Sequence, residues 1–349
     1  MKTFGKVLAV MALLGCFASL DTVANAQSVL DISGNSNSAA DAGNGNRPPV
    51  AQRWPWLRVA TTGETMVNRA FSGDMAQDQA FKGMGVTRAA TTSAVVITDI
   101  NDARLMNSAR IDRYKEFVAR IIGDIVLPVR KTWRSAQIVK TGPWANTQVD
   151  PIGMYANTAG VKASGTVNGT VVYVGLLVDN HAMSQGVAAD VYIDGVNKGS
   201  ISSDNIGANL NGNTYNGLRY GPTLVRFAGL AAGSHSVEVR MTTTGKNQYM
   251  AYIAGNGDQP DTATVVVGNG YKLNATGVAS FGVTEAVSIL YRDAVADVVN
   301  QFAADGFDVS VLNTFDAIDP NAHLMSDGLH WNAQGHIAVK SAVETALLP

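Results

Sequence analysis

Near the end of the 349-residue chain runs the stretch Asp327-Gly328-Leu329-His330-Trp331-Asn332-Ala333-Gln334-Gly335-His336. An Asp three residues before a His, on a glycine-containing turn that leads into an amphipathic helix, can hold the imidazole by Nδ1 and leave Nε2 to face a nucleophile. A lone D-x-x-H is common in surface turns, so its chemistry depends on a nucleophile and an oxyanion hole elsewhere. Ser36 is the candidate nucleophile. It lies in Gly34-Asn35-Ser36-Asn37-Ser38, after the apolar run Val29-Leu30-Asp31-Ile32, and a strand-to-helix turn of this kind can present a hydroxyl at the carboxyl edge of a sheet. An ordinary Ser/Asn/Gly loop has the same composition.

Two further turns can supply oxyanion donors. Ser72-Gly73-Asp74 follows the apolar segment Met66 to Phe71. A glycine there lets a backbone N–H approach a ligand closely, and its alternative is a simple turn. Thr98-Asp99-Ile100-Asn101-Asp102 follows the unbroken apolar run Ala94-Val95-Val96-Ile97. Asn101 can aim a side-chain N–H at a developing oxyanion; Asn101 or Asp102 can instead cap the next helix, and both can hold at once.

The elements that must position these residues follow from periodicity. A helix is predicted from Arg53-Trp54-Pro55-Trp56-Leu57, with its tryptophans packed on a sheet, and one long helix from Ala103 to Leu127. From about Arg130 to Gln259 helical periodicity gives way to short alternating strands between Gly/Asn/Ser turns, such as Gly169 to Val174, Ala189 to Asp194 and Ser236 to Met241. Asp194 to Gly199 and Gly229 to His235 read as hairpin turns. The α/β pattern then returns: a strand over Ala263 to Gly268, a helix over Thr284 to Ala304, a strand over Phe307 to Leu312, and a last helix from Ala333 to Leu347. Strands alternating with helices predict a parallel sheet covered on both faces. The expected divisions are a leader over 1–26, a first α/β part over 27–130, an inserted β-sandwich over 131–259 and a second α/β part over 260–349.

Composition narrows the partners. Charged residues make up 15% and the formal net charge is -2, which gives no electrostatic reason to expect nucleic acid or an anionic membrane. A polar, uncharged substrate fits better. Lys2 and Lys6 precede an apolar run from Val7, and Ala24-Asn25-Ala26 offers a small-x-small cleavage site, so an exported product is expected. Cys16, the only cysteine, lies inside that leader; Leu13-Leu14-Gly15-Cys16 offers the alternative of a lipid-anchored product. No later segment is long and apolar enough to span a bilayer. His323, His181, His235 and His336 form no metal-ligand spacing, and His336 reads as structural.

With these blocks in hand, the chain resembles the GDSL/SGNH hydrolase superfamily. The family's blocks occur in order: Gly34-Asn35-Ser36 for its Gly-Asp-Ser turn, Gly73 after the second strand, Asn101-Asp102 for its G-x-N-D turn, and Asp327/His330 for its terminal D-x-x-H. The resemblance covers about residues 28 to 130 and 260 to 349. It implies a flavodoxin-like three-layer α/β sandwich with a parallel sheet, here interrupted by the inserted β-sandwich. It also implies Ser36 as nucleophile, His330 as general base and then acid, and Asp327 as its orienter. The Ser36 and Gly73 N–H groups and the Asn101 side chain would form the oxyanion hole, with no metal or organic cofactor. Two positions depart from the pattern. Asn35 replaces an Asp that mainly supports the turn, and Asp99 replaces a Gly, where a carboxylate can crowd or repel an oxyanion.

The resulting expectation is an exported carboxylic ester hydrolase that removes O-acetyl groups from a polysaccharide or other glycan. Tyr192, Trp144, Tyr215 and Tyr220 are candidate aromatic platforms in the insert, or part of its core. Lipase or arylesterase action on other esters, acyl transfer, and catalytically weak glycan binding are the alternatives.

Overall fold

The computed structural model describes residues 28–40, 47–84, 91–106, 108–204, 214–215, 218–260 and 263–347. The expected leader, with Cys16, lies outside them. Five strands, β1 (Val29–Gly34), β2 (Thr65–Asn68), β3 (Ser93–Ile97), β4 (Thr264–Gly268) and β5 (Val309–Leu312), form one parallel sheet in the order β5-β4-β3-β1-β2. This is the flavodoxin-like order, and its switch point, where ligands bind at the carboxyl ends of strands, lies between β1 and β3. All five residues of β3 are buried. Such a continuous apolar run suits a strand covered on both faces.

Helices α1 (Trp54–Thr62) and α8 (Ala333–Ala346) pack together, while α4 (Ile111–Val126) packs with α2 (Ala76–Gly83) and α6 (Glu285–Ala304). Three shorter helices, α3 (Ile100–Met106), α5 (Ala275–Phe281) and α7 (Thr314–Ala317), follow strand ends or precede longer helices. Local chemistry explains several boundaries. Thr284 caps α6 by accepting from the Val287 N–H, and Asn332 caps α8 by accepting from the Gly335 N–H at 3.0 Å. Gly63, at φ +70°, ends α1 in the left-handed conformation.

The middle of the chain forms two antiparallel sheets. One orders the strands Val196–Ile201, Ala189–Ile193, Gly233–Met241, Lys162–Gly169 and Val139–Thr141. The other centres on Leu218–Phe227, Val172–Asp179 and Gln248–Gly255, continuing to Met154–Ala156 and Ala145–Asn146. Val174, Leu176, Val191, Val239 and Ile253 join in the core between them. The opposite face of the second sheet is buried as well: Tyr173, Leu224 and Tyr252 belong to the same core as α4 and the parallel sheet. A Cβ at Gly123 of α4 would stand 2.6 Å from Leu224 Cδ2, and one at Gly221 2.6 Å from Phe117 Cε1. The molecule is thus layered: helices, parallel sheet, helices, sheet, sheet.

Three expectations need correction. The helix expected over Ala103 to Leu127 is two, because Arg110 adopts φ +62° ahead of α4. The second strand stops at Asn68 and not Phe71, although the Arg69 and Phe71 N–H groups still donate to Ile32 O at 2.8 Å and Gly34 O at 3.2 Å. The turn at Gly229 to His235 is no hairpin, since Leu218–Phe227 and Gly233–Met241 belong to different sheets. No helix among the described residues is long and apolar enough to cross a membrane.

Candidate active site

The turn after β1 is built on a close approach. A Cβ at Gly34 would lie 2.9 Å from Ile97 O of β3, so only glycine fits. Asn35 then folds the turn: its Oδ1 accepts from the Asn37 N–H at 3.0 Å, and its N–H donates to Ile97 O at 3.2 Å. An amide does this job as a carboxylate would, which accounts for Asn at this position. Ser36 sits at the apex and is 6% exposed.

The D-x-x-H turn has the expected local geometry. His330 Nδ1 lies 2.6 Å from Asp327 Oδ2, and Asp327 Oδ1 accepts from the Leu329 and His330 N–H groups at 2.9 and 3.0 Å. The carboxylate is a pure acceptor, so the ring proton belongs on Nδ1 and Nε2 is the free base. Burial lowers the His330 pKa, and Arg47 and Arg104 lower it further against the pull of Asp327, which favours the neutral ring. Burial pushes the Asp327 carboxyl up, but hydrogen bonds from His330 and from the two N–H groups outweigh it and bring it below its ordinary value. Gly328, at φ +68°, packs on α5: a Cβ there would stand 2.3 Å from Gly277 N.

A polar chain joins the two turns. Asn37, next to Ser36, accepts from the Trp331 N–H at 3.1 Å and donates through Nδ2 to Tyr271 Oη at 2.8 Å, and Tyr271 in turn donates to Leu329 O at 2.8 Å. The two residues flanking His330 are therefore both tied to the residue that follows Ser36. Among the described residues no hydrogen bond joins Ser36 Oγ to His330 Nε2. Such contacts are often long without substrate and tighten when it binds.

The other two loops converge through Arg47 and Asn101. Arg47 donates to Ser36 O at 2.7 Å and to Ser72 Oγ at 2.6 Å, linking the Ser36 turn to the loop holding Gly73. Gly73 has φ +86° and is exposed. Asn101 Nδ2 donates to Asp74 O at 2.8 Å, and Arg104 Nη1 donates to Asn101 Oδ1 at 3.1 Å. Because guanidinium only donates, it fixes which end of the amide is oxygen. The second Nδ2 hydrogen of Asn101 and the N–H groups of Ser36 and Gly73 have no acceptor among the described residues.

Asn101 and Asp102 both lie inside α3 and not at its N-cap. Asp102 caps a different helix: both its oxygens accept from the Ala76 N–H that opens α2, at 3.2 and 2.9 Å. Burial pushes its carboxyl up to about 8, against the pull of that N–H. Asp99 adopts φ +87°, a conformation suited to glycine. Its carboxyl is buried against Gly270, where a Cβ would stand 2.7 Å from Asp99 Oδ2, and its Oδ1 has no partner. The room that Asp99 needs is thus supplied by a second glycine, at the exit of β4. His336 is buried, with Nδ1 accepting from the Trp54 N–H at 3.4 Å and its ring edge-on to Trp331.

The sequence reading missed Arg47, Arg104, Asn37 and Tyr271. Asn37 alone carried a local signal, as the second amide of the Asn-Ser-Asn turn; the other three act through contacts that no sequence spacing encodes. Of the aromatic candidates in the insert, Trp144 packs on Trp133 with centroids 5.6 Å apart, Arg240 stacks over Tyr192 at 4.2 Å, and Tyr220 lines a cavity.

No protein-family model and no curated protein matches the chain. Among solved structures it is similar to a two-domain esterase active on acetylated mannans, co-crystallized with mannopentaose. The identity is 10% over 65% of this chain and 90% of that one, at a TM-score of 0.38. It is also similar to the psychrotrophic esterase EstA from Pseudoalteromonas sp., at 8% identity over 92% and 97% of the two chains and a TM-score of 0.40. A member of the lipolytic protein G-D-S-L family from Veillonella parvula is 7% identical over 92% of this chain and 98% of that one, at a TM-score of 0.41.

Proposed function

We propose that this chain is a serine ester hydrolase of the SGNH type that removes O-acetyl groups from a glycan. The observation that carries the reading is an imidazole held by Asp327 on a turn tied through Asn37 to the Ser36 turn, with three N–H donors on the linked loops that have no acceptor among the described residues. In the reaction the Ser36 hydroxyl attacks the ester carbonyl while His330 Nε2 takes its proton. The carbonyl oxygen becomes an oxyanion, which the N–H groups of Ser36, Gly73 and Asn101 stabilise. A donor of this kind contributes about 3 kcal/mol to lowering the barrier. Collapse breaks the ester C–O bond, and His330 returns its proton to the leaving sugar hydroxyl. Water, activated by the same imidazole, then releases acetate from Ser36.

The glycan part of the reading is supported by the near-neutral charge and the attached β-sandwich. Export is supported by the Lys2 to Ala26 leader pattern, with lipid anchoring through Cys16 as its variant. The test is hydrolysis of p-nitrophenyl acetate, butyrate and octanoate by the mature protein and by Ser36→Ala. Turnover should fall with chain length and drop about a thousandfold or more in the variant. Preference for octanoate would favour a lipase, and the absence of Ser36-dependent turnover on all three would overturn the hydrolase reading.

A further inference from the structure

A second site lies in the antiparallel part of the molecule. Tyr249 pairs with Tyr155 on one side and with Leu177 on the other. Residues directly opposite in a sheet share a face, so the three form a row across adjacent strands. The Tyr155 and Tyr249 rings lie 5.3 Å apart, and Tyr220 stands perpendicular to Tyr249 at 6.4 Å. Together they wall a cavity of about 320 Å³, within the roughly 300–1,000 Å³ of small-molecule sites.

The lining has a definite chemistry. Besides the tyrosines it carries amides, among them Gln148, Asn157 and Asn247, and no lining residue among the described residues is charged. Asn247 is only 7% exposed, donates from Nδ2 to Tyr249 Oη at 3.2 Å, and leaves Oδ1 without a partner. Flat aromatic faces beside amides that both donate and accept suit a ring with apolar C–H faces and an equatorial fringe of hydroxyls. The absence of cationic side chains among the described lining residues disfavours phosphates and nucleic acid, and the polar fringe disfavours an apolar peptide.

One wall of the cavity is tied to the helix that follows a candidate oxyanion loop. Tyr220 O accepts from Gln77 Nε2 at 2.7 Å, and Gln77 is the second residue of α2, the helix that opens just after Gly73 and Asp74. We propose that this cavity is a binding site for a neutral oligosaccharide, and that it holds the polymer whose acetyl groups reach Ser36. The holding role rests on the deacetylase reading; the binding itself does not.

The test uses the full mature chain carrying Ser36→Ala, so that binding is read without turnover. Affinity electrophoresis and calorimetry would be run with glucomannan, arabinoxylan and mixed-linkage β-glucan, and with polygalacturonate as the charged comparison. At least one neutral polymer should bind and polygalacturonate should not. Tyr155→Ala should weaken that binding at least tenfold, and Tyr155→Phe, which keeps the ring, should stay within about threefold. If Tyr155→Ala lowers the melting temperature, Gln148→Ala, at an exposed lining position, reads the same cavity and must weaken binding. Binding to none of the neutral polymers, or binding indifferent to these substitutions, would overturn the proposal. Ester turnover by the unsubstituted protein is scored separately: its loss with binding retained strikes the hydrolase reading alone, and the reverse strikes the cavity alone.

Discussion

Asp99 holds a backbone conformation that costs an L residue about 1–2 kcal/mol, and it buries a carboxyl with one oxygen unpaired. Burial, reinforced by Asp102, raises its pKa well above the ordinary carboxylate value. A raised folded-state pKa makes the wild type's contribution greatest below the unfolded pKa of about 3.9, and that contribution is lost as pH rises through the folded value. Asp99→Gly should therefore stabilise the protein, and by more at pH 8 than at pH 5. Urea denaturation of both proteins at the two pH values measures this, and a gain that shrinks toward alkaline pH would contradict the account. At this scale the sequence was informative about residue types: the candidates Ser36, Gly73, Asn101, Asp327 and His330 could each be named from a turn and its neighbours. Arg47 and Tyr271 could not, because each matters through what it touches; Tyr271 meets Asn37 across 234 residues of chain.

Between elements, the turn after β1 and the turn before α8 are registered by one amide. Asn37→Ala would leave the buried Trp331 N–H unpaired, at a cost of about 1–3 kcal/mol. The Asp327–His330 pair, which is local to its own turn, would survive. The expected result is a fall in kcat of tenfold or more, with the KM for p-nitrophenyl acetate changing little, because His330 would lose its placement relative to Ser36 and not its chemistry. Unchanged kcat would show that the 327–331 turn holds its place without Asn37. Element boundaries were readable where capping chemistry is local, as at Thr284 and Asn332. They were not readable where tertiary packing decides. Asn107-Ser108 offered only a weak hint that the long helix breaks. The glycines at 229 and 233 give the same turn signal whether the next strand returns to its own sheet or crosses to the facing one.

For the whole molecule, the layered α/β arrangement followed from strand and helix alternation, but the docking of the sandwich did not. One signal was present. Val172–Asp179 is buried at all eight positions, and an unbroken apolar strand amid alternating ones marks a sheet covered on both faces. That coverage makes the sandwich part of the α/β core's wall: Arg120 of α4, fully buried, donates to Leu176 O at 3.3 Å and stacks over Tyr252 at 4.7 Å.

The pairing of β3 with β4 sets an order in time. Ala94 lies beside Val265 in the sheet, yet the whole sandwich is threaded between them in the chain. During synthesis β1, β2 and β3 emerge first, and β3 waits with an open edge until every sandwich strand has been made. Closing so long a loop is entropically cheaper once the intervening chain is compact. The sandwich should therefore gain structure first and deliver β4 to its place. Pulsed hydrogen exchange during refolding would then protect the amides of Val172–Asp179 before those of Val265 to Val267, and the opposite order would refute this sequence of events. Until that delivery the exposed β3 edge is open to mispairing with another chain.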